Sequence, residues 1–161
     1  MEITVKKMET KDEILGKAFV HWTSWHETYS GLVRQDYLDK LTLEKCEVIA
    51  FQWPDGILIA KDGDKVIGFV GYGASREDAD AGEIFAIYVL SAYHGTGVGQ
   101  MLLSAGLEQL NQFKKISLWV IDENMRAIRF YRKNGFTETG EKTDHQNLGA
   151  TVIRMLLDKQ T

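Results

Sequence analysis

The chain has 161 residues, 44% of them hydrophobic, which is enough to bury one core without metal or disulfide support. We therefore expect a single domain over 1–161. A formal net charge of -4 argues against a protein that coats nucleic acid, because such proteins cluster Lys and Arg against phosphates. A single cysteine, Cys46, and an opening segment without the apolar stretch of a signal peptide favour the cytoplasm, and no run is apolar enough to span a membrane.

The first half of the chain predicts a strand, three helices and a hairpin, in that order. Helical spacing is clearest for the apolar residues between Leu15 and Tyr29. Two apolar segments on either side of Asp62-Gly63 predict the hairpin, because glycine tolerates the positive φ of a tight turn. The predicted bounds are about 2–8, 15–29, 34–41, 42–51, 57–60 and 66–70.

The second half predicts alternating strands and helices. A strand, a glycine-rich turn, a helix and another strand imply a parallel crossover. Asn124 is suited to cap the next helix, and Gly135 to the left-handed position that ends it. The predicted bounds are strand 83–90, turn 94–99, helix to 112, strand 116–121, helix 124–134 and strands 136–142 and 150–157. This order indicates an α+β domain whose mixed sheet is antiparallel early and parallel at its middle.

The turn reads His94-Gly95-Thr96-Gly97-Val98-Gly99, and an apolar helix follows at once. Glycines remove the Cβ atoms that keep a ligand from the main chain, and unpaired amides at a helix start hold a phosphate or pyrophosphate. A plain tight turn is the simpler alternative. A dinucleotide fold, with Asp122 as its ribose-binding acid, would need the third glycine one residue later. No Gly-Lys-Ser/Thr follows, as a P-loop requires.

Three motifs stand in order around this turn. They are Glu83-Ile84-Phe85-Ala86-Ile87-Tyr88-Val89, the turn itself, and Asn124-x-x-Ala127-x-x-Phe130-Tyr131-x-x-x-Gly135-Phe136. Together, over about 56–157, they resemble the GNAT superfamily of N-acetyltransferases. The resemblance implies an α+β fold with a mixed, mostly antiparallel sheet of about six to seven strands, a central splayed parallel pair, and helices on both faces. It also implies acetyl-CoA as co-substrate and transfer to a primary amine of a small molecule, polyamine, antibiotic or peptide.

The resemblance also assigns cofactor-binding residues. In the family, the main chain of the strand before the turn binds the pantetheine arm, and the turn binds the pyrophosphate. His94 stands where the family has Gln or Arg, so main-chain amides around Gly97 and Gly99 are expected to carry most of the phosphate binding. Arg129 and Lys133 are further candidates for phosphate contacts. The residues assigned to acetyl-CoA are Ile87, Tyr88, Val89, His94, Gly95, Thr96, Gly97, Val98, Gly99, Gln100, Asn124, Ala127 and Tyr131.

Acetyl transfer to an amine needs a group that takes a proton, because a free alkylamine is mostly protonated at neutral pH. Glu83 stands at the family position often used for this base, acting directly or through a water, with His26 and His145 as further candidates. Tyr131 matches the family tyrosine that protonates the departing coenzyme A thiolate. Main-chain N–H groups of 87–89 are the implied oxyanion donors.

The remaining candidates concern the acceptor and other ligands. The expected acceptor-binding residues are Trp25 and Tyr29, which stand at helical spacing, and His145, which lies in a polar loop at 143–149. Cys46 lies in a predicted helix as an inert thiol, which favours direct attack by the amine over an acyl-enzyme. The four histidines do not cluster with cysteine or carboxylate at ligand spacing, so no metal is expected.

Two other functions remain open at this point. A non-catalytic acyl-CoA-binding or sensor module would keep the glycine turn while lacking the base and the proton donor. A nicotinamide-dependent dehydrogenase is the more distant alternative. A homodimer is common among similar proteins and is an expectation here.

Overall fold

The computed structural model describes residues 1–159, so the last two residues of the predicted domain, 160 and 161, lie outside the described part. Within it, strands and helices follow the predicted order. The elements are β1 (Ile3–Lys7), α1 (Lys11–Tyr29), α2 (Gln35–Lys40), α3 (Leu43–Gln52), β2 (Ile57–Asp62), β3 (Lys65–Ala74), β4 (Ala81–Val89), α4 (Val98–Gln109), β5 (Lys115–Ile121), α5 (Met125–Lys133), β6 (Thr137–His145) and β7 (Ala150–Asp158). A 3-10 turn at Ser91–Tyr93 follows β4.

The long helix α1 begins at a capping box. Thr10 accepts a hydrogen bond from the N–H of Glu13, and the Glu13 carboxylate accepts from the N–H groups of Glu9 and Thr10. Glu13 also pairs with Lys6 of β1 and Lys61 of β2, so its buried carboxylate ties the start of the helix to two strands. Burial alone would raise the pKa of Glu13, but these hydrogen bonds outweigh burial and lower it.

The strands form one seven-stranded sheet in the order β1-β2-β3-β4-β5-β7-β6. In the described chain, β4 and β5 are parallel and the other neighbouring strands are antiparallel. The parallel ladder joins only 81–83 to 115–117. Beyond it, β4 continues to Val89 and β5 to Ile121, so the two strands diverge. The predicted mixed, mostly antiparallel sheet with a splayed central parallel pair is therefore confirmed.

Helices cover both faces of the sheet. On one face, a Cβ added to Gly106 of α4 would lie 3.1 Å from Val70 and 3.4 Å from Ile84. On the other face, a Cβ added to Gly16 of α1 would lie 2.7 Å from the side chain of Val66. Glycine is thus what lets both helices pack closely against the sheet. No helix within 1–159 is long and apolar enough to cross a membrane.

The structure differs from the predicted elements mainly at β6. This strand runs to His145, so the polar loop predicted at 143–149 shrinks to 146–149. Every residue of β6 is exposed, and apolar alternation therefore gives no sign of where the strand ends. Antiparallel pairing with β7 along one side defines this edge strand instead. The strand β3 also exceeds its prediction, because it pairs with β4 as far as Ala74.

Candidate active site

A cavity of about 650 Å³ opens where β4 and β5 diverge. This volume lies in the range of small-molecule and cofactor sites. Its walls come from the end of α1, from β4 beyond the parallel ladder, from the glycine turn, and from β5 and α5. The lining residues lie within 24–29, 85–89, 93–100, 119–121 and 124–133, together with Leu148 and Val152.

A bulge in β4 shapes the strand that lines the cavity. The register with β3 shifts between Gly71 and Tyr72, which leaves Phe85 without a partner on β3. Beyond residue 83, β4 has no ladder with β5 on its other side, because β5 has diverged. Main-chain N–H groups on that edge of 87–89 are therefore available to a ligand, as a strand that binds the pantetheine arm requires.

The glycine turn presents unpaired amides to the cavity. Gly95 and Gly97 have φ values of 77° and 92°, and a Cβ added to either would meet no protein atom within 4 Å. Gly97 caps α4 without a side-chain bond, and the N–H groups of 97–100 have no acceptor in the described chain. The turn thus combines a left-handed backbone, free space in front of its amides and the positive end of a helix dipole, as an anion site needs.

The cation beside the turn is Arg126, which contacts His94. His94 Nε2 donates to the carbonyl of Val89 at 2.8 Å, and Arg126 Nη1 donates to His94 Nδ1 at 2.6 Å. Arg126 lines the cavity and brings a permanent charge to it. Sequence reasoning missed Arg126, because an arginine two positions after a helix cap carries no local signal.

Most of the predicted cofactor residues meet at this cavity. Those that line it are Ile87, Tyr88, Val89, His94, Gly95, Gly97, Gly99, Gln100, Asn124, Ala127 and Tyr131. Thr96 and Val98 do not line it: Thr96 donates to the carbonyl of Tyr93, and Val98 is 1% exposed in the core. Of the two further phosphate candidates, Lys133 lines the cavity and Arg129 does not.

Three tyrosines and Asn124 contribute to the cavity wall. The hydroxyls of Tyr29 and Tyr88 are 3.0 Å apart. Asn124 Oδ1 accepts from the N–H of Ala127 at 3.3 Å, which leaves the amide nitrogen of Asn124 to donate into the cavity. Burial raises the pKa of Tyr29, Tyr88 and Tyr131, and all three hydroxyls are therefore protonated at neutral pH.

Glu83 is buried close to the cavity without forming part of its wall. It is 2% exposed, its Oε2 lies 3.4 Å from Arg76 Nη2, and its Oε1 has no hydrogen-bond partner in the described chain. Burial raises the pKa of Glu83, and the Arg76 cation partly opposes this effect. A carboxylate with a raised pKa and a free oxygen is suited to accept a proton, and its position outside the wall favours a bridging water.

The other predicted residues are divided between the cavity and other places. Trp25 and Tyr29 line the cavity, with ring centroids 4.5 Å apart. His145 lies at a separate surface depression, where its ring accepts a hydrogen bond within the β6–β7 turn. His26 bonds to a main-chain carbonyl outside the cavity, and Cys46 is buried, which raises its thiol pKa to about 11.

Within 1–159, no group of three or more His, Cys, Asp or Glu side chains is placed to hold a metal ion.

Comparisons with known proteins agree with this geometry. Residues 19–136 match the model of the Acetyltransferase (GNAT) family. The uncharacterised N-acetyltransferase YuaI of Bacillus subtilis is 34% identical over 139 residues, which cover 81% of this chain and 78% of YuaI. Among solved structures, PH1933 from Pyrococcus horikoshii is similar with a TM-score of 0.78, at 25% identity over 98% of both chains. The PaiA N-acetyltransferase of Thermoplasma acidophilum, solved with coenzyme A, has a TM-score of 0.75 at 22% identity, over 98% of this chain and 99% of that one.

The splayed parallel strands, the glycine turn and the cavity between them, in a chain similar to N-acetyltransferases, indicate an acyltransferase. The family match over most of the chain goes a step further. This chain belongs to the GNAT family of acetyltransferases.

Proposed function

We propose that the protein transfers the acetyl group of acetyl-CoA directly to a primary amine. The observation that carries this proposal is a continuous cavity that joins the glycine turn to Tyr131 through the gap between β4 and β5. The turn has the unpaired main-chain amides that an anion site needs, and Tyr131 is a protonated phenol. A phosphate-bearing thioester and its departing thiolate require these two features.

The residues around the turn fit coenzyme A. Acetyl-CoA supplies the thioester whose acetyl group is transferred. The unpaired amides of 97–100 suit a pyrophosphate, and Arg126 and Lys133 are cations in the same cavity wall. A side chain at Gly95 or Gly97 would project into the open space in front of these amides.

Each step of the transfer has a group in this chain suited to it. Glu83 accepts the proton of the acceptor ammonium through a water, since its free Oε1 lies outside the cavity wall. Main-chain N–H groups of β4 beyond the bulge at Phe85 donate to the carbonyl oxygen as negative charge develops there. As the C–S bond breaks, Tyr131 donates its proton to the departing sulfur, and the second proton lost by the acceptor nitrogen restores the phenol.

Direct transfer fits these residues better than an acyl-enzyme. Cys46 is buried and does not line the cavity, and burial holds its thiol pKa at about 11. A thiol with that pKa is almost entirely protonated at neutral pH, whereas the thiolate is the nucleophile.

Release of free thiol from acetyl-CoA, measured against a panel of amines, tests the proposal. We expect at least one amine to raise release above the rate without acceptor, and its mass to increase by one acetyl group. Retention on immobilised coenzyme A with none on NAD would set the dehydrogenase alternative aside. Coenzyme A binding without any amine-dependent release would instead identify a non-catalytic binding module.

A further inference from the structure

We infer that the acceptor is a monoamine on an apolar skeleton, and not a polyamine or an aminoglycoside; this inference rests on the proposed amine acetylation. The first observation is the charge of the cavity. Among the described residues that line it, the side chains with a permanent charge are Arg126 and Lys133, and no carboxylate is present. A cavity built for several ammonium groups would carry the opposite charge.

Carboxylates near the cavity are already engaged. Glu77 accepts a hydrogen bond from Nε1 of Trp119 at 2.6 Å, and Glu83 pairs with Arg76 through Oε2. Oε1 of Glu83 is buried without a partner in the described chain, which matches one ammonium group through a water. A second or third ammonium group in the cavity would lose hydration without gaining an ion pair, at a large cost.

The acceptor side of the cavity is the side that faces α1. The glycine turn leads into α4, and α4 covers the opposite face of the sheet. Ser24, Trp25 and Thr28 of α1 line the cavity, and so does Trp119 of β5. Trp119 shares a sheet face with Ile121, which packs against the end of α1.

The walls on this side are aromatic and contain one buried hydroxyl without a partner. Trp25, Phe85 and Trp119 contribute rings, and Phe85 is 41% exposed. Ser24 is 4% exposed, and its Oγ has no hydrogen-bond partner in the described chain. A buried hydroxyl without a partner is costly unless a ligand or water completes it. An apolar amine fits these walls, and a water or a neutral group of the acceptor completes the Ser24 hydroxyl.

The first test compares kcat/KM for four acceptors with the whole protein. We expect 2-phenylethylamine or a tripeptide that begins with leucine to exceed spermidine and kanamycin by at least about tenfold, because one unpaired buried charge costs more than the 1.4 kcal/mol of a tenfold change. Comparison of the two apolar acceptors shows whether the acceptor amine belongs to a small molecule or to the N-terminus of a peptide. Equal or higher kcat/KM for spermidine or kanamycin would overturn the inference.

A carboxylate introduced on the acceptor side provides the matched test. Thr28 is half-buried in the cavity wall, and Thr28→Asp supplies the counter-ion that a second ammonium group lacks. We expect this variant to raise the spermidine to 2-phenylethylamine ratio of kcat/KM about tenfold. Thr28→Asn, which has the same shape without the charge, should keep the parent ratio. A ratio that is the same in both variants would contradict the placement of the acceptor beside α1.

Acceptor binding separates failure of this inference from failure of the proposed function. Trp25 and Trp119 line the cavity, so quenching of tryptophan fluorescence with coenzyme A bound reports acceptor binding without turnover. Tighter binding of 2-phenylethylamine than of spermidine supports the inference even where no acetyl transfer is detected. Tighter binding of spermidine would overturn it, whatever the turnover.

Discussion

Burial raises the pKa of both Tyr131 and Glu83, and this suits one to donate a proton and the other to accept one. Burial is the largest cause that raises the pKa of each. A raised pKa keeps the phenol of Tyr131 protonated, so that it has a proton to donate. The same effect makes the carboxylate of Glu83 a stronger base once it is ionised. Both roles stay predictions, and substitutions at single residues test them.

Removal of one hydroxyl tests the proton donor. Tyr131→Phe keeps the ring contacts with Phe130 and Phe136 but has no proton to give the departing sulfur. We expect kcat to fall about 100-fold, a typical contribution of general acid catalysis. Coenzyme A affinity, measured by calorimetry, should match the parent. A variant that binds coenzyme A normally and turns over at the parent rate would remove Tyr131 from the mechanism.

The base is tested by the pH profile of kcat/KM. Glu83 must be ionised to accept a proton and its pKa is raised above 4.5, so activity should be lost as pH falls through that raised value. Glu83→Gln should lower the rate about 100-fold and abolish this acid limb. Arg76→Gln removes the cation that opposes the shift, and it should move the limb to higher pH. An acid limb unchanged in Glu83→Gln would assign the titration to another group.

The cation at the turn is tested through cofactor affinity. Arg126→Gln removes the guanidinium that lies beside His94, and we expect the Kd for coenzyme A to rise about tenfold, the value of one charge-assisted hydrogen bond. Arg129→Gln is the matched control, since Arg129 is on the same helix and outside the cavity wall. Equal Kd values for the two variants would contradict a phosphate-binding role for Arg126.

At the scale of elements, the glycine turn and the start of α4 act as one unit. The left-handed backbone at Gly97 caps the helix while its first amides remain unpaired. The backbone conformation that the helix needs is therefore the same one that opens its amides to an anion. A side chain at this position affects folding and binding together, so a control is needed to separate the two effects.

Gly97→Ala and Gly63→Ala form that matched pair. Both glycines have positive φ, at 92° and 58°, and a Cβ at either would meet no atom within 4 Å. We expect each variant to lose about 1 kcal/mol of unfolding free energy in urea, the cost of a left-handed alanine. Only Gly97→Ala should bind coenzyme A more weakly, because Gly63 lies in the β2–β3 turn and does not line the cavity. Parent-like affinity in Gly97→Ala would argue against phosphate binding at the turn.

At the scale of the whole molecule, the packing of α1 on the sheet encloses titratable groups. Lys17 is 4% exposed and lies 4.6 Å from the ring centre of Phe69, with no ion-pair partner within 1–159. His21 packs its ring edge against Trp25 and Phe69. Burial, and then the charge of Lys17, lower the pKa of His21 to about 4. The stability of the fold is therefore linked to pH through this face of the sheet.

The linkage predicts a loss of stability as the pH falls. The unfolded chain takes up a proton at His21 near pH 6.5, but the folded chain does so only near 4, so the unfolded state binds more protons in between. We expect His21 to contribute a loss of about 2 kcal/mol in unfolding free energy between pH 7 and pH 5. His21→Phe should remove that loss in urea titrations. Lys17→Met should reduce it, and a pH dependence unchanged in His21→Phe would refute the linkage.

Much of the fold and part of the candidate site could be predicted from local patterns. The hairpin at Asp62-Gly63 and the cap at Asn124 lie where turn and capping chemistry place them. The end of β6 could not be predicted, because a fully exposed edge strand has no apolar alternation. The positions of Arg126 beside the turn and of His145 at a separate depression could not be predicted, since both depend on which elements lie side by side.

The order of the elements, the glycine turn and the family resemblance could be predicted from the sequence, because backbone freedom, capping and side-chain periodicity act over a few neighbouring residues. Where β4 and β5 diverge, after 83 and 117, and how large a cavity fills the gap depend on the tertiary structure. It also decided that Glu83 is buried behind the wall while Tyr131 lies in it. Burial, charge pairing and access are set by contacts between residues far apart in the chain, and these govern the chemistry of the site.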